Sequence, residues 1–264
     1  MPFDTHNHTK FSFDAEMGIE EAIKQGKNNH LNLIITDHYD LNELDKNGET
    51  IEFPLDNYFQ EYAAYRNDHL LIGIELGLDN RTKYIIRNRQ IIESHPFDFV
   101  IGSVHNIQDY DILNDQSKNF LSKPDFFARY LVYAEHTVNK NPFIDTFAHI
   151  DYPCRYLEYS DNVLRYDDFP MLIDNFLTAL ILHDICLEIN LRLIGKQAFY
   201  DGLSSIVQRY AELGGKYVTI GGDNHTPDTI GNKYSLGLKI ALDAHLTPVY
   251  FKNRRRMIDN TVYK

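Results

Sequence analysis

The chain has 264 residues, 43% of them hydrophobic and 24% charged, with a formal net charge of −12. That length suits one domain spanning residues 1–264, and the acidic balance excludes a general nucleic-acid or membrane-surface binder. Its two cysteines, Cys154 and Cys186, exclude a disulfide scaffold and a thiolate zinc finger and fit a reducing, cytoplasmic setting.

Phe3–His8 reads as a first strand, with no signal peptide ahead of it. Ala15–Asn29 follows, carrying Ile19, Ala22 and Ile23 at helical spacing. Leu31–His38 reads as the second strand. Tyr39–Asp56 is polar and aperiodic, a loop and candidate lid. Leu70–Leu78 is the third strand, and Arg81–Ser94 a helix with Ile85, Ile86, Ile91 and Ile92 on its apolar side. Phe97–His105 is the fourth strand, followed by a second loop and candidate lid, Asn106–Lys123. A helix over Pro124–Lys140, a strand over Asp145–Asp151 and a helix over Pro170–His183 come next. Cys186–Asn190 is the sixth strand, and Leu203–Leu213 a helix stopped by Gly214 and Gly215. Tyr217–His225 is the seventh strand. Arg254–Arg256 reads as a solvated helix face. No run reaches the roughly 18 apolar residues of a membrane span.

This alternation predicts an α/β fold with a parallel sheet and right-handed crossovers. At least six of the seven strands run into residues that can hold a metal. A TIM-like (β/α)7 barrel with a metal site at the C-terminal ends of its strands explains that. A doubly wound open sheet, the alternative, would gather ligands at one switch point.

His6 and His8, two apart on a strand, leave the same face, and Asp223 and His225 repeat that geometry. His38, Glu75, His105 and His149 end the strands between. Half of the chain's 12 histidines thus sit at strand ends. The others, His30, His69, His95, His136, His183 and His245, read as surface or packing residues. Asp4 and Asp151 read as partners that orient imidazoles. Asp37 either joins them or points away.

Taken together, HxH near the N-terminus, TDH, the Glu of the third strand, GSVH, AHID and GGDNH resemble the PHP (polymerase and histidinol phosphatase) metallo-phosphoesterases, from Pro2 to about Thr226. The resemblance implies a distorted (β/α)7 barrel and three divalent ions. Ligands of nitrogen and oxygen without thiolate suit Zn²⁺, Mn²⁺ or Fe²⁺. Carried over by motif, His6, His8, Glu75 and Asp223 hold the first metal. Glu75 bridges to a second, held also by His105 and His149. Asp14, His38 and His225 hold the third. Some relatives have a His where this chain has Asp14, whose other reading is a helix N-cap. Glu75, Asp223 and His225 are the expected catalytic residues.

Three divalent ions against the carboxylates of Asp14, Glu75 and Asp223 leave a centre of about +3, for which a phosphate monoester dianion is the natural partner. Arg155 in HIDYPCRY and Arg192 in EINLR follow strand ends, where a guanidinium can fork onto phosphate oxygens. HIDYPxRY resembles the histidinol-phosphatase branch of the family. The resemblance therefore implies hydrolysis of L-histidinol phosphate to L-histidinol and phosphate, in histidine biosynthesis. The expected partner is a small-molecule phosphate monoester, with no nucleic acid and no membrane. Glu188 reads as an interior residue or a contact for a substrate amine. Alternatives are a PHP-type phosphoesterase acting on nucleotides, oligonucleotides or phosphotyrosine, a metal-dependent amidohydrolase, and a non-catalytic metal-binding module. The amidohydrolase is disfavoured because Glu75 stands on the middle strand with no lysine.

Overall fold

Short apolar runs buried on both faces form parallel strands, and amphipathic segments between them form the returning helices. The computed structural model describes residues 1–44, 50–107, 110–112 and 121–260. Its strands are β1 (Phe3–Asn7), β2 (Asn32–Ile35), β3 (His38–Leu44), β4 (Thr50–Ile51), β5 (Leu70–Gly77), β6 (Phe99–Ser103), β7 (Asn106–Ile107), β8 (Tyr110–Asp111), β9 (Thr146–Phe147), β10 (Cys186–Asn190), β11 (Tyr217–Gly221), β12 (Thr247–Lys252) and β13 (Arg255–Ile258). Its helices are α1 (Ile19–Asn28), α2 (Leu55–Tyr62), α3 (Thr82–Ser94), α4 (Lys123–Lys140), α5 (Pro170–Leu182), α6 (Gln197–Glu212) and α7 (Tyr234–Asp243). None is long and apolar enough to cross a membrane.

The main sheet runs β1-β2-β5-β6-β9-β10-β11-β12-β13, parallel up to β12, with β13 antiparallel at the edge. Each parallel strand joins beside its predecessor. Nowhere does the order reverse, so the doubly wound alternative fails. Burial agrees. Ile72, Ile74, Leu187, Ile189, Val218 and Ile220 pack with Ile19, Tyr58, Phe126, Ile173, Leu203 and Ile240 from the helices. The opposite sheet face buries Phe3, Ile34, Leu71, Phe99, Ile101, Cys186 and Val249, none of them helical.

That second face carries the candidate site residues. Strand side chains alternate, so Leu71 shares its face with Glu75, Phe99 with Ser103, and Cys186 with Glu188. An apolar cluster thus fills the N-terminal ends of the strands and polar residues the C-terminal ends. β1 needs an irregularity to join in, because Phe3 and His6 are three residues apart. The register of β1 on β2 shifts between Asp4 and Asn7. Such a bulge turns His6 and His8 to the side on which Phe3 packs.

β1 also meets the chain just beyond β11, the seventh strand of the parallel series. Asn7 and Asn224 form a parallel bridge, and His8 N–H donates to Asn224 O at 2.8 Å. Gly221 permits this approach: a Cβ there would lie 2.6 Å from His6 Cβ and overlap the Glu188 carboxylate.

Several expectations need correction. The stretch Tyr39–Asp56 opens as β3, which pairs with β4 and β5, and runs on into α2. Asn106–Lys123 begins with the β7–β8 pair. The remainder of both candidate lids, residues 45–49, 108–109 and 113–120, lies outside the described residues. Arg254–Arg256 is no helix face. Asn253 and Arg254 adopt φ of 49° and 61°, a turn into β13, and Arg254 Nε pairs with Asp145 Oδ2 at 2.5 Å. The fifth strand keeps only Thr146 and Phe147 because His149, at φ 26°, has already left extended geometry.

Candidate metal centre

All nine side chains expected as ligands converge beyond the C-terminal strand ends. His6 Nε2 lies 3.2 Å from Glu75 Oε2 and 4.0 Å from Asp223 Oδ1. His8 Nε2 lies 3.5 Å and 3.4 Å from the same two oxygens. The other Glu75 oxygen, Oε1, stands 2.9 Å from His149 Nε2 and 3.5 Å from His105 Nε2. Asp14 sits 3.7 Å from His38 Nε2 through Oδ1 and 3.1 Å from His225 Nε2 through Oδ2. It does not cap α1, whose N-cap is Gly18. Among the described residues, ligand atoms fall within 4.8 Å of one another in the sets His6–His8–Asp223, His6–Glu75–His149, His8–His38–His225 and His38–Asp40–His105.

These residues fit a cation better than they fit each other. His6 Nε2, His8 Nε2 and Glu75 Oε2 are buried with no hydrogen-bond partner. A buried polar atom left so costs about 1–3 kcal/mol, and three on one spot are explained by a metal that takes their lone pairs. The charges agree. Burial opposes ionisation of Glu75, yet His6, His38 and hydrogen bonds from His105 and His149 hold its carboxyl well below the usual range. Burial and the neighbours His225 and His38 keep the His8 imidazole well below its usual range, neutral as a ligand must be.

A second layer fixes the rings. Glu188 Oε1 accepts from His6 Nδ1 at 2.7 Å, and Oε2 accepts the His149 N–H and the Asn190 amide, each at 2.9 Å. Because Glu188 is fully buried, it cannot meet a substrate amine, and that expectation is withdrawn. Ser12 Oγ donates to Asp37 at 2.8 Å and lies 3.0 Å from His8 Nδ1. With its hydrogen on Asp37, Ser12 accepts the His8 proton and leaves Nε2 for the centre. Asp37 therefore acts through Ser12. Asp4 instead holds the seam, accepting from Gly222 N–H at 2.7 Å and the Asn224 amide at 2.9 Å. Burial pushes Asp151 up to about 6 against the pull of Arg155; its electrostatic partner is that arginine, not an imidazole.

Arg155 and Arg192 line one cavity with Phe13, Asp14, His38 and His105. The Arg155 Nη2 donates to Asp223 Oδ2 at 2.5 Å and to Asn190 Oδ1 at 3.1 Å. Burial would raise the Asp223 carboxyl, but Arg155 and His6 hold it well below its usual range. Arg192 Nη1 donates to Asp223 O at 2.9 Å and sits 2.9 Å from His225 Nδ1, leaving its side chain 42% exposed toward solvent.

Reading by strand ends missed Ser12, Ser103 and Asp40. Ser103 donates a short hydrogen bond to Glu75 Oε1. Asp40 carried a usable signal, since it follows His38 by two residues and shares its face. A serine in a loop carries none until its partners are in place. Three of the remaining histidines make peripheral contacts, His69 with Asn32, His95 with Asp56 and His183 with Asn139, as packing and surface residues do.

Residues 4–192 match the PHP domain model. The chain is 39% identical over 254 residues to a probable histidinol-phosphatase of Clostridium acetobutylicum, covering 96% of this chain and 98% of that protein. It is 32% identical over 233 residues to the histidinol-phosphatase of Lactococcus lactis, covering 84% and 83%. The crystal structure of histidinol phosphate phosphatase from Lactococcus lactis, complexed with zinc, L-histidinol and phosphate, superposes with a TM-score of 0.88 at 26% identity, over 97% of this chain and 98% of that one. A strand-end cluster of histidines and carboxylates, a sequentially wound sheet and a family match over most of the sequence lead to one conclusion: this chain belongs to the PHP domain family.

Proposed function

We propose that this chain is a metal-dependent phosphomonoesterase that hydrolyses L-histidinol phosphate to L-histidinol and phosphate in the cytoplasm. The observation that carries the reading is the convergence of three partnerless ligand atoms, His6 Nε2, His8 Nε2 and Glu75 Oε2, below a cavity lined by Arg155 and Arg192. The Clostridium and Lactococcus relatives, named for this activity and matched over most of their length, support the substrate.

The chain is one PHP-type domain whose seven parallel strands close into a distorted (β/α)7 barrel. The Asn7–Asn224 bridge, between β1 and the residues just after β11, the first and seventh of these strands, supports closure. Three divalent ions, of zinc, manganese or iron, fit the donor set. His6, His8, Glu75 and Asp223 would hold the first, Glu75, His105 and His149 the second, and Asp14, His38 and His225 the third. Ions held there supply positive charge and Lewis acidity. Glu75, Asp223 and His225, central to the cluster, are the residues assigned to the chemistry. Glu188 and Ser12 hold the ring protons of His6 and His8 away from the ions. Arg155 and Arg192 bind phosphate oxygens, and Arg155 keeps Asp223 ionised.

The test is a comparison of specificity constants. L-Histidinol phosphate should exceed nucleoside monophosphates and p-nitrophenyl phosphate by roughly 100-fold or more, as expected of a chain matched over most of its length to relatives named histidinol-phosphatase. A nucleotide or oligonucleotide as best substrate would reassign the chain to another PHP phosphoesterase activity.

A further inference from the structure

Asp40 is a buried carboxylate to which the proposed ligand sets give no part. It follows His38 by two residues in β3, so both side chains leave one face. Its side chain is 1% exposed. Oδ1 lies 3.0 Å from His105 Nδ1. Oδ2 lies 3.7 Å from His38 Nδ1 and has no hydrogen-bond partner. Gly77 of β5 makes the room: a Cβ there would overlap Asp40 Oδ1 and stand 2.7 Å from its Cγ.

His38 and His105 belong to different ligand sets of the proposed centre, and this inference rests on that reading. A histidine presents one ring nitrogen to a metal cleanly when an acceptor holds the proton on the other. His105 Nε2 faces Glu75 Oε1 at 3.5 Å, and His38 Nε2 faces Asp14 at 3.7 Å. His105 Nδ1 is hydrogen bonded to Asp40 at 3.0 Å, and His38 Nδ1 lies 3.7 Å from it. Glu75 Oε2 also approaches His38 Nδ1, at 2.8 Å, but two ligand sets compete for Glu75. Asp40 is the acceptor that remains. We infer that Asp40 is a positioning residue shared by His38 and His105. By accepting both Nδ1 protons it aims both Nε2 atoms at the centre. One buried charge then ties the occupancy of the second metal to that of the third.

The probe is zinc alone, titrated into the metal-stripped full-length protein against a chelator of known affinity. Asp40→Asn keeps the volume, but its amide accepts from one ring and turns an N–H toward the other. It should weaken part of the zinc set by roughly 10- to 100-fold and leave the rest as in the wild type. Gly77→Ala, which displaces the carboxylate while preserving its charge, should weaken the same part. A third measurement needs no variant. Long-range ¹H–¹⁵N spectra of the zinc-loaded wild type should show His38 and His105 protonated at Nδ1. Protonation of either ring at Nε2, or an Asp40→Asn isotherm identical to the wild type, overturns the inference while the metal reading stands. Uptake of fewer than two zinc ions by the wild type overturns the metal reading itself, and this inference with it.

Discussion

Replacing Arg155 separates substrate binding from architecture, because the same guanidinium serves both. Its side chain is 10% exposed and lies 2.5 Å from Asp223 Oδ2, so solvent screens it little. A hydrogen bond to a charged group contributes about 1.5–3 kcal/mol. At 1.36 kcal/mol per decade, one lost phosphate contact in Arg155→Ala lowers kcat/KM roughly 10- to 150-fold. The contact strengthens as charge moves onto the equatorial oxygens, so KM should rise and kcat fall together. The variant also leaves Asp223 without its buried partner, a loss worth about 3–5 kcal/mol when nothing replaces it, so the melting temperature should fall. Arg155→Lys should recover only part of kcat/KM, since an ammonium keeps the charge without the fork. Steady-state phosphate release, thermal melts and zinc content on the same samples make the assay. If both variants match the wild type in kcat/KM, the residue is structural and the phosphate clamp is wrong.

Glu188→Gln should weaken zinc binding roughly 10- to 100-fold, because the amide cannot accept from His6 Nδ1, His149 N–H and Asn190 at once; an unchanged zinc isotherm would show that Glu188 merely fills space. A fully active sample should carry close to three transition-metal ions per chain by elemental analysis, and one or fewer would rule out the trinuclear reading. Chelation should lower the melting temperature, since a site filled at about 100 times its Kd adds roughly 2.7 kcal/mol; a melt indifferent to chelator contradicts the buried-ligand argument. His105→Ala and His149→Ala should each abolish turnover with the fold retained by circular dichroism, and near-normal turnover at saturating metal in either would remove that residue from the ligand set.

Much of this was legible because the relevant signals are local. Phe3–His8, Leu31–His38 and Tyr217–His225 each join an apolar run to a polar end, and their α/β alternation is enough to predict a parallel sheet. The convergence of the candidate ligands was legible for the same reason: a strand end announces itself in sequence. The interactions that orient them were not. Glu188 lies 182 residues from the His6 it grips, and nothing local distinguishes it from an interior acid. The bulge in β1 was equally silent, because strict alternation would set Phe3 and His6 on opposite faces. α2 and α7 escaped for want of a clean apolar stripe, and β12 and β13 because they follow the last motif. In the Arg254–Arg256 stretch, charge suggested a helix where two left-handed residues make a turn.

The seam between the two ends of the chain sets the order in which the molecule can be completed. Asn224 donates to Asp4 across 220 residues and to Asn7 across 217, and His8 meets Asp223 at the same junction. During synthesis, His6 and His8 are made 215 or more residues ahead of Asp223 and His225 and must wait for them. Contacts of such separation form late, after the intervening loop entropy has been overcome. A chain truncated before residue 223 would keep most of its helices but lack Asp223, the last member of the proposed first ligand set. Metal uptake in this protein therefore reports that translation has passed the seam and that both ends have met.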